Sequence, residues 1–384
     1  MGECVKQSGI HRSFIGLVIV AAMAGVTMPR FALALEPVMV DAATKKIGLG
    51  LHLEYLEDKE GTLTPEDILK PEMASRFTRS EVETPNFGLG ITSAYWFSLE
   101  LKNSENKVLN RLLEIGYPLL DDIHVYLFAQ GGEKTHFHLG DKLVFSARPV
   151  EHRNFVIPIE IQEHEVIRIL FRVQTSSSMR VPLTLWQTRD FFEEDAADVI
   201  IQGLFFGLLL VMALYNLFVF VSLKERAYLY YVVFVLSFAG YQAAFQGLSY
   251  QYFWPDSPWW SEKNLVFFLG IAGMSAGLFA NSFLELRHYA QRHFRYLSCL
   301  AVLFGALAFL AFFFSYALII QLVVIGIVLS CPACFSAGLI RWRQGSIEAR
   351  YYTIAWASFL IGSFTAALTM FGILPANALT TNSP

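Results

Sequence analysis

The sequence predicts a multi-domain α+β protein: a periplasmic all-β domain, built as a sandwich or jelly roll, followed by an all-α polytopic membrane helix bundle. Short segments rich in β-branched and aromatic residues fill residues 35–190, with Gly, Pro, Asn and Asp between them. From Val199 onward, charge-free apolar stretches of bilayer length alternate with short polar loops. A secreted β domain and a membrane domain are therefore expected in one chain of 384 residues.

The N-terminal residues have the pattern of a secretory signal peptide. Lys6 and Arg12 precede the apolar run Phe14–Val26, and residues 32–34 (ALA) form a small-x-small cleavage site. A retained anchor helix is the alternative, but the apolar run is short for a membrane span. We therefore predict that residues 1–34 are removed and that the β domain is exported.

The β domain is predicted from segments with partial period-two alternation. These segments are Ile91–Leu101, Ile123–Phe128, Thr135–Leu139, Phe155–Ile161, Val166–Val173 and Arg180–Trp186. A short helix is expected after Thr64, with Thr64 as N-cap, Pro65 at the first position and Asp67 three residues on. The acidic residues 191–198 are expected to link this domain to the first span. Because residues 35–190 contain no Cys, the domain must be stable without disulfides.

Six segments are predicted to cross the membrane within residues 199–374. They are Val199–Leu223, Ala227–Leu248, Asn264–Leu284, Tyr296–Phe314, Ala317–Ile340 and Tyr351–Ile373. A helix needs about 20 apolar residues to cross the hydrocarbon core, and these segments contain no Lys, Arg, Asp or Glu. The 45 charge-free residues 296–340 are too long for one crossing, so they are divided near Ser315. Residues 375–384 form a C-terminal tail.

The loops between the spans indicate the orientation of the bundle. Basic residues occupy the loops after the first, third and fifth spans, namely Lys224, Arg226, Arg287, Arg292, Arg295, Arg341, Arg343 and Arg350. The opposite side of the bundle offers only Lys263. Cytoplasmic loops retain Lys and Arg, so these basic loops are predicted to be cytoplasmic and the β domain periplasmic.

The charge of the exported domain argues against nucleic acid as a partner. Residues 35–197 carry 17 Lys and Arg against 26 Asp and Glu. An acidic surface repels the phosphate backbone of a nucleic acid. Membrane lipid is instead the expected partner of the apolar helices.

Five residues of the β domain are the candidates for ligand contact: Trp96, Tyr126, Asp141, Arg148 and His152. Flat aromatic rings and hydrogen-bonding groups on a concave face suit a sugar or another small organic solute. The alternative role of these residues is structural, with Trp96 as a core aromatic and Arg148 paired with Asp141 at a strand end.

Two histidines raise the question of a metal site. His136 and His138 share one face of a predicted strand, a geometry that zinc ligands use, but no third ligand is assigned, so no metal site is predicted. The sequence also lacks a Ser-His-Asp order, a Gly-rich phosphate loop and a recognisable pair of catalytic carboxylates. Neither an enzyme nor a cofactor is therefore expected.

A membrane transporter or channel component with an extracytoplasmic ligand-binding domain is the alternative function. Pumps and ion-coupled transporters normally bury Asp, Glu, Lys or His at mid-membrane. The predicted spans instead carry uncharged amides such as Gln202 and Gln321, which favour hydrogen bonds between helices. The GxxxG spacings at residues 203–207 and 273–277 likewise favour close helix packing.

Ordered segments along the chain resemble bacterial seven-transmembrane receptors with diverse intracellular signalling modules. In the β domain they include LHLEYLEDKEGTLTPEDI (51–68), NFGLGITSAYWFSLEL (86–101), RPVEHRNFVIPIEI (148–161) and RVQTSSSMRVPLTLW (172–186). In the membrane part they include GLFFGLLLVMALYNLFVF (203–220), AYLYYVVFVLSFAGYQAAFQGLSYQYFWP (227–255) and ARYYTIAWASFLIGS (349–363). The resemblance covers nearly everything from Leu51 to Leu374.

This resemblance implies a jelly-roll extracellular type 2 domain similar to carbohydrate-binding modules, and a location in the bacterial inner membrane. It also implies a seventh span and a cytoplasmic kinase or diguanylate cyclase, which do not follow residue 374 here, so a truncated receptor is expected. The expected function is a receptor that binds a small molecule, with carbohydrate among the candidates, and relays binding through the bundle. A separate cytoplasmic signalling protein and a homodimer are the protein partners left open.

Six crossings that begin outside return the chain to the outside, so residues 376–384 are expected in the periplasm. Alkaline phosphatase fused after Pro384 should be active, because it needs an oxidising compartment for its disulfides. A fluorescent protein that matures only in the cytoplasm should be dark at the same position. An inactive phosphatase together with a fluorescent fusion would show that the number of spans is wrong.

Overall fold

The computed structural model describes residues 36–129 and 134–370. The signal peptide predicted for residues 1–34 and the tail predicted for residues 375–384 lie outside the described residues. Within the described residues, a β domain is followed by a region that is entirely helical, as the sequence predicts.

Most of the predicted segments are strands, with Arg180–Trp186 divided between two of them. The structure also contains strands that the sequence analysis did not predict, including Leu109–Ile115 in the middle of a sheet. In chain order the strands are β1 (Val38–Val40), β2 (Lys46–Gly48), β3 (Glu54–Asp58), β4 (Thr78–Arg79), β5 (Asn86–Leu89), β6 (Ala94–Asn103), β7 (Leu109–Ile115), β8 (Asp122–Phe128), β9 (Lys134–Leu139), β10 (Phe155–Ile161), β11 (Val166–Gln174), β12 (Ser178–Arg180) and β13 (Leu183–Gln187). The predicted strands Ile91–Leu101 and Val166–Val173 correspond to β6 and β11, which pair antiparallel.

Two sheets of the described chain pack face to face. The first sheet has the order β4-β3-β6-β11-β8-β9, with β1 parallel to β6 at its side. The second sheet has the order β10-β7-β13-β2, and all its pairs are antiparallel. A small separate ribbon pairs β12 with β5. This arrangement is the sandwich that the alternating segments predict.

Alternate residues of the central strands point into the space between the two sheets. Phe97 and Phe171 come from the first sheet, and their rings stack with centroids 4.8 Å apart. Leu113 and Ile157 come from the second sheet and belong to the same buried core. Burying one such side chain stabilises the fold by about 1.5–3 kcal/mol relative to exposure. A core of this kind is what holds the domain together.

The predicted helix after Thr64 is present as α1 (Pro65–Ile68), and α2 (Pro71–Ala74) follows it. Thr64 Oγ1 accepts a hydrogen bond from the Asp67 amide at 3.2 Å, and Asp67 Oδ2 accepts one from the Thr64 amide at 3.1 Å. This reciprocal capping box confirms the prediction. Both helices pack on the face of the first sheet that is turned away from the second sheet, which we call the outward face.

The helical region consists of long helices joined by short segments. In chain order the described helices are α3 (Thr188–Leu223), α4 (Arg226–Phe245), α5 (Leu248–Tyr252), α6 (Pro258–Phe283), α7 (Leu286–Tyr289), α8 (Gln291–Leu310), α9 (Tyr316–Arg343) and α10 (Ile347–Met370). Among the described residues, five helices are long and apolar enough to cross a membrane: α3, α4, α6, α8 and α9. Helix α10 coincides with most of the sixth predicted span, and the break at residues 311–315 divides the 45-residue stretch as predicted.

Residues 191–198 are helical and do not form the expected linker. Strand β13 ends at Gln187 and α3 begins at Thr188, so the helix starts about three turns before the first predicted span. The acidic side chains have partners in the β domain: Asp195 pairs with Arg153 at 2.8 Å and Glu194 with Lys46 at 2.8 Å. The linker prediction was wrong because these partners are distant in the sequence.

Glycine spacing brings α6 close to α8, as predicted for residues 273–277. A Cβ on Gly273 would lie 2.7 Å from the Phe304 ring, and one on Gly277 would lie 3.3 Å from α8. At Gly203 and Gly207 no atom lies within 4 Å of such a Cβ. That spacing therefore makes no close helix contact within the described chain.

Asn103 gives a test of the packing at the end of β6. Its side chain is fully buried, and Nδ2 donates to the carbonyl oxygens of Lys107, Ile161 and Gln162 at 2.7, 3.1 and 2.8 Å. Asn103→Leu leaves these carbonyls without their donor, so we expect a loss of about 1–3 kcal/mol in the free energy of unfolding. The measurement is the unfolding midpoint of the full chain in detergent. Asn110→Leu, at an exposed position of β7, is the control, and equal effects of the two substitutions would contradict the prediction.

Candidate functional site

The structure places the five predicted site residues in two separate groups. Trp96 and Tyr126 lie on the outward face of the first sheet. Asp141, Arg148 and His152 lie in the segment between β9 and β10, at the junction between the β domain and the helical bundle. The five residues therefore do not meet in one site.

Trp96 belongs to a small hydrophobic cluster on the outward face. Its side chain is 1% exposed and packs with Leu56, Leu170 and Ile68, of which Ile68 belongs to α1. Its indole Nε1 has no hydrogen-bond partner among the described atoms. Because α1 covers the ring, a solute could stack on it only if α1 moved.

Tyr126 begins a row of stacked rings that continues across β8 and β9. Its ring stacks on Trp96 at 6.2 Å and on His136 at 4.5 Å between centroids. His124 in turn stacks on His136 at 5.2 Å and on His138 at 4.2 Å. Burial lowers the pKa of His124 from its ordinary value of 6.5, so this imidazole is neutral at pH 7.

Charged groups lie beside the row of rings. Asp122 Oδ2 is 3.3 Å from Arg172 Nη1, and Asp122 Oδ1 is 2.7 Å from His138 Nε2. The outward face thus combines flat rings with hydrogen-bonding groups, mostly on residues that the sequence reasoning missed. A signal for them was present, because His124 and Tyr126 alternate along the predicted strand Ile123–Phe128 and Asp122, directly before it, continues the same alternation.

Asp141 is a buried carboxyl group at the junction. Burial, and then the charge of Asp121, raise the pKa of Asp141 to about 8, so it is protonated at pH 7. Its Oδ1 has no hydrogen-bond partner among the described atoms. The neighbouring Asp121 has several partners, including Lys142 at 2.6 Å and the Ser176 amide at 3.0 Å.

Arg148 is a buried cation that holds the segment around it. Its Nη1 donates to the carbonyl oxygens of His152 and Arg153 at 2.7 and 2.6 Å. Its guanidinium lies over the rings of Phe145 and Phe155, at 4.6 and 4.4 Å from their centroids. Burial lowers the pKa of Arg148 to about 10, which leaves the group charged at pH 7.

His152 connects the same segment to α3. Its Nε2 lies 3.0 Å from Asp195 Oδ1, and its ring packs edge-on against Phe191. Arg153 Nη1 reaches the same Asp195 oxygen at 2.8 Å, and Arg153 Nη2 lies 3.4 Å from Asp198. Asp195 is therefore shared by two side chains of the β domain.

A narrow cleft opens at the junction beside Asp141. Its lining comes from both parts of the chain and includes Asp121, Ser176, Glu262 and Tyr316. Its volume of about 10 Å³ is roughly what one water molecule needs. A sugar does not fit in this cleft, which leaves the outward face as the better candidate for a ligand.

The fold and the junction define a class of protein. The chain is a multi-pass membrane protein whose β sandwich is seated on the end of its helical bundle. The family model described as 7TM diverse intracellular signalling matches residues 198–384, and the model described as 7TMR-DISM extracellular 2 matches residues 50–187. The chain belongs to this family of seven-transmembrane receptors, as its resemblance predicts.

Membership of this family makes the chain a membrane sensor of signal transduction. The two matched domains are a sensory domain and a membrane domain, and neither is catalytic. A search of curated proteins finds no match to the chain.

The buried carboxyl group of Asp141 predicts a dependence of stability on pH. In the unfolded chain its pKa is the ordinary 3.8, whereas in the folded chain it is about 8. Between these values the folded chain holds one more proton, so the contribution of Asp141 to stability is lost as the pH rises from about 4 to about 8. Asp141→Asn removes this titration. We expect it to raise the unfolding midpoint of the full chain in detergent, by more at pH 9 than at pH 5.

Asp58→Asn is the control for this prediction. It weakens the hydrogen bonds that the buried Asp58 accepts from the Gly61 and Leu63 amides, and should lower the midpoint at both pH values. If Asp141→Asn raises the unfolding midpoint equally at the two pH values, or at neither, the Asp141 carboxyl group is not buried in its neutral form.

Proposed function

We propose that this chain is a sensor that binds a small molecule on its β domain and relays binding to the membrane bundle. Carbohydrate is the favoured class of ligand, because flat rings and hydrogen-bonding groups lie side by side on the outward face. The resemblance of the family's jelly-roll domain to carbohydrate-binding modules supports the same class.

The observation that carries the proposed relay is the direct connection from sheet to membrane helix. Strand β13 lies inside the second sheet, between β7 and β2. It ends at Gln187, and α3 begins at Thr188. Because no loop separates them, a shift or tilt of the second sheet moves the start of α3. A helix carries such a movement along its axis because its backbone hydrogen bonds are internal.

Charged contacts hold α3 to the β domain from the side. Arg153 and His152 both contact Asp195, which lies two turns into α3. The Arg153 side chain is only 9% exposed, so this pair is largely removed from water. Removing one partner of a buried ion pair typically costs about 3–5 kcal/mol. The pair therefore makes α3 follow the segment that precedes β10.

Further contacts reach the rest of the bundle. The Tyr250 hydroxyl donates to the Leu143 carbonyl, and the Phe145 amide donates to the Pro255 carbonyl at 3.0 Å. Leu119 packs against the cores of both the β domain and the bundle. A ligand that favours one arrangement of the β domain would bias the bundle by its differential affinity for the two states.

The output of the sensor is proposed to lie at the opposite end of the bundle. Arg226 and Arg343 are exposed there, at the ends of α4 and α9 that are remote from the β domain. This end carries the basic loops predicted to be cytoplasmic, and a cytoplasmic signalling protein or module would contact it.

A thermal-shift screen of the full chain in detergent against sugars, carboxylic acids and amino acids would identify the ligand. With that ligand, we expect the distance between spectroscopic labels at positions 226 and 343 to change on binding. Asp195→Asn should leave the Kd of the ligand unchanged and reduce the change in distance, because it loosens the contact with Arg153.

Arg189→Ala is the matched control in the same helix. It removes an ion pair with Glu193 that is exposed to water and therefore weak, and should leave both binding and movement intact. A ligand that binds without moving the labels would contradict the relay. If the ligand changes the distance between the labels as much in Asp195→Asn as in Arg189→Ala, the coupling does not run through Asp195.

A further inference from the structure

We propose that the outward face carries a zinc site formed by Asp122, His124 and His138. Asp122 Oδ1 lies 2.7 Å from His138 Nε2 and 3.5 Å from His124 Nε2. One ligand atom from each of the three residues lies within 4.8 Å of the other two. The proposal does not depend on the sensor function, because metal content is measured without any other ligand.

The register of two strands brings these side chains together. In the antiparallel pair β8–β9, His124 lies directly opposite His138, where Cβ atoms are about 4.5–5.5 Å apart. Asp122 precedes His124 by two residues on β8 and therefore shares its face. The rings of His124 and His138 are nearly parallel, with 9° between their planes. The three donors thus come from the pairing itself.

The donor set suits zinc. Zinc binds imidazole nitrogen and carboxylate oxygen at about 2.0–2.2 Å, so that neighbouring tetrahedral ligand atoms lie about 3.3 Å apart. The separations of 2.7 and 3.5 Å lie on either side of this value, and the third lies within 4.8 Å, so side-chain rotations would complete the site. Two His and one Asp leave the fourth position for water or a solute. The side chains are 25–43% exposed, which gives a metal ion access.

Neighbouring groups orient the proposed ligands. His124 Nδ1 lies 3.0 Å from His136 Nε2. With zinc on Nε2, the Nδ1 of His124 carries the proton and donates it to His136, which takes the place of the carboxylate, carbonyl or water that usually accepts from a metal-bound His. Arg172 Nη1 contacts Asp122 Oδ2, which leaves Oδ1 directed at the two imidazoles. Arg172 is itself held by Gln174 Oε1 at 2.8 Å.

The alternative is a cluster of surface ion pairs with no metal. The ion-pair cluster and the zinc site predict different amounts of bound zinc when zinc is added. If the cluster consists only of ion pairs, replacing His136 changes no zinc binding. If the cluster is a zinc site, replacing His136, the partner of His124, lowers the affinity of the chain for zinc.

The test measures zinc directly. The full chain is purified in detergent without a polyhistidine tag, stripped with EDTA, dialysed against Zn²⁺ and analysed by inductively coupled plasma mass spectrometry. We expect close to one zinc per chain for the unmodified protein, and loss of that zinc in Asp122→Asn and His138→Ala. Competition with a chromophoric chelator should show His136→Phe, which keeps a ring in the stack, binding zinc about 10–100-fold more weakly.

His164→Asn is the matched control, because it removes an exposed His elsewhere on the β domain and Asn tolerates its positive φ of 55°. Cys331 and Cys334 remain in every variant, so any zinc that they hold is a constant background. If the unmodified chain holds no more zinc than Asp122→Asn, the proposal is wrong. Loss of zinc from His164→Asn equal to that from His138→Ala would overturn it as well.

Discussion

The guanidinium of Arg148 is buried where the β domain meets the helical bundle, and the contacts that hold the junction together depend on it. Taking such a cation out of water costs several kcal/mol. Two backbone carbonyl groups and the faces of Phe145, Phe155 and Tyr250 offset this cost. These groups come from a connecting segment, a strand and the bundle, so one charge fixes three parts together. The carbonyls belong to the residues whose side chains hold α3 at Asp195.

The outward face and the junction are separate surfaces that meet at one peptide bond. The carboxylate of Asp121 belongs to the junction, where it pairs with Lys142. Asp122 is the first residue of β8, and its carboxylate lies among the imidazoles of the outward face, next to His138. A displacement at the start of β8 therefore moves both carboxylates. The start of β8 therefore links the two surfaces directly.

The sequence by itself determined the two kinds of domain and most of their longer elements, although it did not show strand β7. Period-two alternation predicts the central strands β6 and β11, and charge-free stretches predict the long helices. The residue types at Thr64 and Asp67 predict the capping box, and residues 296–340 predict two helices with a break near Ser315. Each of these features depends on residues within a few positions of each other, so a local pattern suffices.

Only the tertiary structure decided which residues meet. The pattern of a strand assigns Trp96 to a face, but it does not show that α1 covers that face. Residues 191–198 have the composition of a solvated linker, yet their partners in the β domain hold them in a helix. His138 acquires His124 as a neighbour through the register of β8 and β9. Periodicity is a local property, whereas a site requires neighbours, and neighbours are set by contacts between residues that are distant in the sequence.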